Sequence, residues 1–155
     1  EGAKALANGE VTRAHYARYL VQIGKVSNDG QAFKRYLGGG KSCFVKAEWV
    51  DIPTAIDTIH AAGGVAIIAH PMRYNMTGKW IRRLIVDFKQ WGGDGMEVAD
   101  SGQTKDQRQY LARLANEYDL AASLGSDFHF PCGWIELGKN LFLPEEVKPI
   151  WTLFK

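Results

Sequence analysis

Two hydrophobic periods alternate along the chain from residue 51 onward. Asp51-Ile52-Pro53 opens a helix with proline in its first turn, Ile52, Ile56 and Ile59 recur on one face, and Gly63-Gly64 closes it. The continuous apolar run Val65-Ala66-Ile67-Ile68 follows and reads as a buried strand that ends at Ala69-His70-Pro71. A second helix is predicted over 79–91, with Ile81, Leu84, Ile85 and Phe88 on one side. Gly92-Gly93-Asp94-Gly95 turns the chain into the short strand Met96-Glu97-Val98. Thr104 with Gln107 forms a capping box ahead of a third helix that buries Leu111, Leu114, Ala115 and Tyr118. A strand over 120–124 then leads into Ser126-Asp127-Phe128-His129. This α-β-α-β-α-β order predicts an α/β fold with a mainly parallel sheet and helices outside it.

The chain ahead of this stretch has the helical period alone. Thr12 caps a helix whose apolar side includes Tyr16, Ala17, Leu20 and Val21, and Gly24 ends it. Ser27-Asn28-Asp29 offers the next cap, Ala32, Phe33, Tyr36 and Leu37 follow, and Gly38-Gly39-Gly40 stops that helix. Two regions are therefore expected, a helical one over 1–45 and an α/β one over 46–155.

Charge follows the same division. Residues 1–50 carry eight Lys/Arg against four Asp/Glu, whereas residues 51–155 carry eleven against thirteen. The basic helical pair, with Arg13, His15, Arg18, Lys34 and Arg35, suits a nucleic-acid backbone or is simply a solvated face. The net charge of +2 excludes a polyelectrolyte binder overall, and 46% hydrophobic and 23% charged residues describe a globular domain. No apolar run reaches the ~20 residues that span a bilayer. Cys43 and Cys132 are far apart without zinc-type pairing, which points to a reducing compartment, the cytoplasm. Glu1-Gly2-Ala3-Lys4 is neither an initiator methionine nor a signal peptide, so the chain is expected to begin mid-protein.

The candidate chemistry sits at the strand ends. His70 closes the first strand, and Asp127 and His129 follow the third. Parallel strands present their C-terminal tips on one side, so His70, Glu97 and the Asp127/His129 pair should converge there. In an extended segment residues two apart share a side, which would aim Asp127 and His129 into one cavity. Carboxylate and imidazole suit manganese, iron or zinc. No G-x-G-x-x-G or Walker motif supports a dinucleotide or nucleoside triphosphate fold. Bland readings stand beside these. His70 could be a satisfied core histidine, Arg73 could pair with a carboxylate, and Glu97 could be a structural acceptor. His60 reads as a helix C-terminal residue serving the macrodipole, and Trp80, Trp91 and Trp151 read as packing.

The stretch Gly63-Gly64-Val65-Ala66-Ile67-Ile68-Ala69-His70-Pro71-Met72-Arg73-Tyr74 resembles the "A-H-P-x-R-Y" strand of the PHP (polymerase and histidinol phosphatase) superfamily. Gly93-Asp94-Gly95-Met96-Glu97-Val98 and Leu124-Gly125-Ser126-Asp127-Phe128-His129 are similar to its later strands. Thr12-Arg13-Ala14-His15-Tyr16-Ala17-Arg18 resembles the helical insertion of one branch, the bacterial nucleoside-3′,5′-bisphosphate phosphatases, also described as 5′→3′ exoribonucleases. The resemblance implies the C-terminal part of a distorted (β/α)7 barrel with a small helical insertion. It implies up to three divalent ions, commonly Mn²⁺ with Fe²⁺, Zn²⁺ or Mg²⁺ as alternatives. His70, Asp127 and His129 match metal ligands, and Arg73 matches an arginine that meets a substrate phosphate. Glu97 is carried as a possible site residue, and Arg13 and His15 as insertion residues near nucleotide phosphates. The implied partners are a nucleotide or an RNA 5′ end, with no membrane and no stable protein partner.

The pattern also departs from the superfamily. Its first motif, H-x-H, occurs nowhere in this sequence, so the chain carries only the late ligands of the set and is expected to be inactive alone. Phe130-Pro131-Cys132 replaces the small, glycine-rich turn usual after the final histidine, and Cys132 is either a soft ligand or a free thiol. The alternative functions are a non-catalytic remnant, an RNA-binding module, or a phosphatase of another small ester such as histidinol phosphate.

Overall fold

The computed structural model describes residues 1–129, 131, 133 and 135–154. Cys132, with its candidate thiol, lies outside the described residues. Two compact units divide the chain, Glu1–Trp49 and Val50–Lys155.

The first unit is helical: α1 (Gly2–Ala5), α2 (Arg13–Gln22) and α3 (Asp29–Ala32), the last continuing as a π-helical segment over Phe33–Leu37. The start of α2 is an unusual capping box. The Thr12 backbone N–H donates to Nδ1 of His15 at 3.0 Å, where a Glu or Gln usually accepts. Asn28 caps α3 by accepting from the Gln31 N–H at 2.9 Å. The π segment ends where Gly38 N–H reaches the Phe33 carbonyl, 2.7 Å away. Ala17, Val26, Ala32 and Leu37 form a small core flanked by Leu20, Val21, Phe33 and Tyr36. Tyr16, expected on the apolar side, is exposed.

The second unit is α/β. It runs α4 (Ile52–Ala61), β1 (Ile67–Ile68), α5 (Gly78–Gln90), β2 (Gly95–Asp100), α6 (Lys105–Glu117) and β3 (Ala121–Gly125). The strands form one parallel sheet in the order β1-β2-β3. Asp51 accepts from the Thr54 N–H at 2.9 Å to start α4. Thr104 and Gln107 exchange both capping-box bonds, at 3.2 and 3.0 Å, to start α6.

β2 is buried at all six positions, as a central parallel strand must be. Ile56, Ile81, Ile85, Phe88, Leu111 and Leu114 pack with Met96 and Val98 as the core. Each of the larger of these contributes about 1.5–3 kcal/mol by leaving water. Pro149 pairs alongside Ala122 and covers the outer edge of β3. Among the described residues β1 lies at the unpaired edge of the sheet; it is shorter than the apolar run suggests, and Ile67 is exposed. Ile52 and Ile59 flank the buried Ile56 and stay exposed. Trp80, Trp91 and Trp151 are also exposed, contrary to the packing role read from sequence. Trp80 adjoins Ile81 on α5, one position off the buried face. No helix is long and apolar enough to cross a membrane among the described residues.

Candidate metal and phosphate centre

Parallel pairing brings the tips of β1, β2 and β3 to one side. A bulge between Glu97 and Ala99 shifts the register against β3. Glu97 is only 8% exposed. Its Oε2 accepts from the backbone N–H of His70 at 2.6 Å. Its Oε1 lies over Gly125, where any Cβ would sit 2.6 Å away. One carboxylate on β2 therefore bonds the chain at the end of β1 and packs closely over the end of β3. Burial raises the Glu97 pKa above the usual carboxylate value; the His70 N–H bond opposes this, and the Asp100 and Asp127 charges add to it.

His70 adopts a left-handed backbone, φ 33° and ψ 56°, which costs a non-glycine residue about 1–2 kcal/mol. A 3₁₀ turn over Pro71–Arg73 follows. The imidazole meets the Tyr74 ring edge-on, with centroids 5.8 Å apart. Its Nδ1 is buried without a hydrogen-bond partner among the described residues. Burial and the Glu97 charge raise the Tyr74 pKa, so its hydroxyl stays protonated beside these carboxylates.

Arg73 spans two carboxylates. Nη1 donates to Asp127 Oδ2, and Nη2 lies 3.4 Å from Asp100 Oδ1. Its side chain remains 36% exposed. Asp100, 2% exposed at the end of β2, also accepts from the Gly102 N–H at 2.6 Å. Its backbone is held on both sides: its N–H donates to Gln103 Oε1 at 3.1 Å, and its carbonyl accepts from Arg108 at 3.3 Å.

The Asp127/His129 pair is arranged differently from an extended D-x-H. Asp127 is left-handed, φ 52°, so the chain turns there. His129 folds back so that Nδ1–H donates to the Asp127 carbonyl at 2.8 Å and lies 3.7 Å from Asp127 Oδ1. Because a carbonyl can only accept, the neutral imidazole carries its free lone pair on Nε2, the tautomer a metal needs. The His129 ring is 72% exposed. Turn geometry, not strand alternation, brings the two residues together.

His70, Glu97, Arg73, Asp100 and Asp127 thus gather at one end of the sheet. No three His, Cys, Asp or Glu side chains are close enough to hold an ion among the described residues. Arg13 and His15 belong to the first unit. Arg13 lies 5.7 Å from the centre of the Phe33 ring, and His15 Nδ1 is engaged in the cap of α2. His60 pairs with Asp94 at 2.7 Å, and Asp94 also holds the Ala66 N–H ahead of β1. Sequence reasoning missed Asp100, Gln103 and Arg108. Asp100 did carry a signal: like His70 and Asp127, it is a polar residue closing an apolar strand before a turn.

No family model matches the chain. It is 82% identical over 154 residues to a 5′-3′ exoribonuclease of Haemophilus influenzae, covering 99% of this chain and 56% of that protein. It is 50% identical over 156 residues to the 5′-3′ exoribonuclease Rnm of Escherichia coli, covering 100% and 53%. It is 42% identical over 142 residues to a 3′,5′-nucleoside bisphosphate phosphatase of Chromobacterium violaceum, covering 91% and 50%. The chain therefore spans about half the length of the curated relatives it matches. Among solved structures, an amidohydrolase from Chromobacterium violaceum with bound sulfate and no metal superposes with a TM-score of 0.82 at 39% identity, covering 97% of this chain and 53% of that one. A protein from Bifidobacterium adolescentis, assigned as a metal-dependent phosphoesterase, superposes with a TM-score of 0.77 at 26% identity, covering 99% and 56%.

Proposed function

We infer the function from one premise: the chain belongs to the PHP superfamily, in the branch of the 5′-3′ exoribonucleases and 3′,5′-nucleoside bisphosphate phosphatases. On that reading the whole protein is a metal-dependent phosphoesterase. It releases the 3′-phosphate of nucleoside 3′,5′-bisphosphates and hydrolyses RNA from its 5′ end. This chain supplies part of its distorted (β/α)7 barrel, with residues 1–45 as a helical insertion. The observation that carries the reading is the strand-end cluster, in which His70, its Nδ1 buried without a hydrogen-bond partner among the described residues, gathers with Glu97, Asp100 and Asp127.

The donor types present suit a divalent cation, although among the described residues no three of them stand close enough to share one ion. His70 offers Nδ1, His129 offers Nε2, and Asp127 offers a carboxylate. Mn²⁺ is the first choice, with up to three ions once the remaining ligands are supplied. Such ions, when bound, activate water and clamp phosphoryl oxygens. The chain's own side chains do the rest. Arg73, fixed between Asp100 and Asp127, keeps guanidinium surface open for a substrate phosphate. Glu97 acts as a positioning residue, holding the His70 backbone in its left-handed turn. Arg13 and His15, on the basic helical unit, would meet further phosphates of the nucleotide or RNA. No side-chain nucleophile is required.

The test is phosphate release by the full-length protein. Adenosine 3′,5′-bisphosphate should outpace mononucleotides and histidinol phosphate, Mn²⁺ should stimulate, and chelation should abolish turnover. Absence of a preference for the bisphosphate overturns the branch-specific substrate. RNA binding without hydrolysis at any metal concentration overturns the enzyme reading in favour of a binding module.

A further inference from the structure

Asp100 carries a buried charge that its place in the chain does not explain. It closes β2 and is 2% exposed. Its Oδ1 accepts from the Gly102 N–H at 2.6 Å and shapes the turn that leaves the strand. An asparagine oxygen makes the same turn without a charge. Carboxylates are seldom buried, because withdrawing an ion from water is costly unless a partner compensates it. Among the described residues the ion pair of Asp100 is with Arg73, whose Nη2 lies 3.4 Å from Oδ1. Arg108 donates to the backbone carbonyl of Asp100, not to its carboxylate.

The acid is also held more firmly than a turn residue requires. Its N–H donates to Gln103 Oε1 at 3.1 Å, and its carbonyl accepts from Arg108 Nη2 at 3.3 Å. Arg108 is itself fixed. Its Nη2 also donates to the Asn140 carbonyl at 3.1 Å, and its guanidinium stacks 3.9 Å from the centre of the Phe142 ring. The other partner of Arg73, Asp127, differs. Its side chain is 24% exposed against 3% for Asp100, and it is one of the candidate metal ligands. A carboxylate that coordinates a cation no longer fully neutralises an arginine. A loaded site therefore leaves Asp100 as the remaining carboxylate of Arg73 among the described residues.

We propose that Asp100 is a positioning residue for phosphoester hydrolysis: its charge keeps the Arg73 guanidinium at the strand ends, within reach of a substrate phosphate, after Asp127 turns to a cation. The Arg73 side chain is 36% exposed, and the forked donors of a guanidinium can serve a carboxylate and a phosphate together. Misplacing such a clamp by about 1 Å costs on the order of a hundredfold in rate, so a fixed anchor is worth its buried charge. The proposal rests on the phosphoesterase reading, which supplies the phosphate.

Asp100→Asn is the diagnostic variant. It keeps an oxygen for the Gly102 N–H and removes the charge that faces Arg73. It is made in the full-length protein alone and together with Arg73→Gln, and each is compared with its own background. With adenosine 3′,5′-bisphosphate and saturating Mn²⁺, Asp100→Asn should lower kcat/KM about tenfold in the parent and by no more than about twofold beside Arg73→Gln. An equal factor in both backgrounds overturns the proposal, because Asp100 would then act through its turn or through Arg108. Chemical rescue gives a readout that a structural role does not move. Guanidinium ion should restore part of the activity of Arg73→Ala in a saturable way, and adding Asp100→Asn should raise the half-saturating concentration about tenfold. Absent rescue, or an unchanged concentration, overturns the proposal. Urea denaturation with metal removed reads the pair without turnover. Asp100→Asn should lower the folding constant about fivefold more in the parent than beside Arg73→Gln, and equal losses overturn the pairing. If the parent hydrolyses no ester, the phosphoesterase reading fails and the proposal falls with it. Hydrolysis without kinetic coupling between Asp100 and Arg73 overturns the role of Asp100 alone.

Discussion

Gly125→Ala isolates the contact on which the strand-end cluster depends. The added Cβ would lie 2.6 Å from Glu97 Oε1, and ordinary contact begins near 3.4 Å, so the carboxylate must retreat by about 0.8 Å. It cannot swing freely, because its other oxygen holds the His70 N–H at 2.6 Å. Retreat breaks that bond and leaves a part-buried N–H unpaired, at about 1–3 kcal/mol. Alanine returns roughly 0.4–1 kcal/mol by restricting the unfolded chain. The net loss is about 1–2 kcal/mol. Urea denaturation of the full-length protein, with metal removed, should show the midpoint falling by roughly 0.5–1 M at unchanged slope. Gly39→Ala is the control: a Cβ there meets nothing within 4 Å, so stability should stay within about 0.5 kcal/mol. The decisive comparison places Gly125→Ala in a Glu97→Ala background, where the obstructing oxygen is gone and most of the cost should vanish. An equal cost in both backgrounds would refute the reasoning.

Arg73→Gln should lower kcat/KM of the full-length enzyme on the order of a hundredfold by removing a charged donor aimed at phosphate, and unchanged kinetics reject that role. Arg13→Ala should weaken RNA binding and reduce its logarithmic salt slope by about one, as measured by titration at several ionic strengths. Asp51→Ala removes the cap of α4 and should lower the thermal midpoint at neutral pH. Bonds from Thr54 hold the Asp51 carboxyl below its ordinary value of 3.8, so its stabilisation is complete above that pH and is lost as pH falls through the lower, folded value. The gap between Asp51→Ala and the parent should therefore close below pH 3.8, and a gap that widens in acid refutes the assignment.

The helices and strand order were legible in the sequence because period and caps act locally. Thr104-x-x-Gln107, Asp51-Ile52-Pro53 and the apolar face of α5 each fix their element with residues a few positions apart. Site geometry was less legible because it is set by contacts across the sheet. The left-handed turns at His70 and Asp127 are not favoured by the residues themselves, and the bond holding His70 comes from Glu97, 27 positions away. The same distance hid Arg73's two carboxylates and the use of Arg108 to hold Asp100. His15 shows the reverse case. Its side chain does a capping job that its residue type rarely performs, a local role beside its candidate place near substrate phosphates that the sequence did not signal. Trp80 was misread because a large apolar residue need not be buried when it stands off the packed face of its helix.

The Glu97–His70 bond also orders events in time. The turn at His70 is strained; the Arg73 N–H closes it locally on the His70 carbonyl at 2.9 Å, but the His70 N–H is held only across the sheet by Glu97, a bond that needs β2 laid beside β1. Contacts made that late weigh on the rate of unfolding and leave the rate of folding almost untouched. Glu97→Gln in the full-length protein should therefore speed unfolding and leave the folding rate unchanged; slowed folding would refute a late closure of the strand-end cluster. Its lifetime, more than its speed of assembly, sets how long the ligands stay aligned.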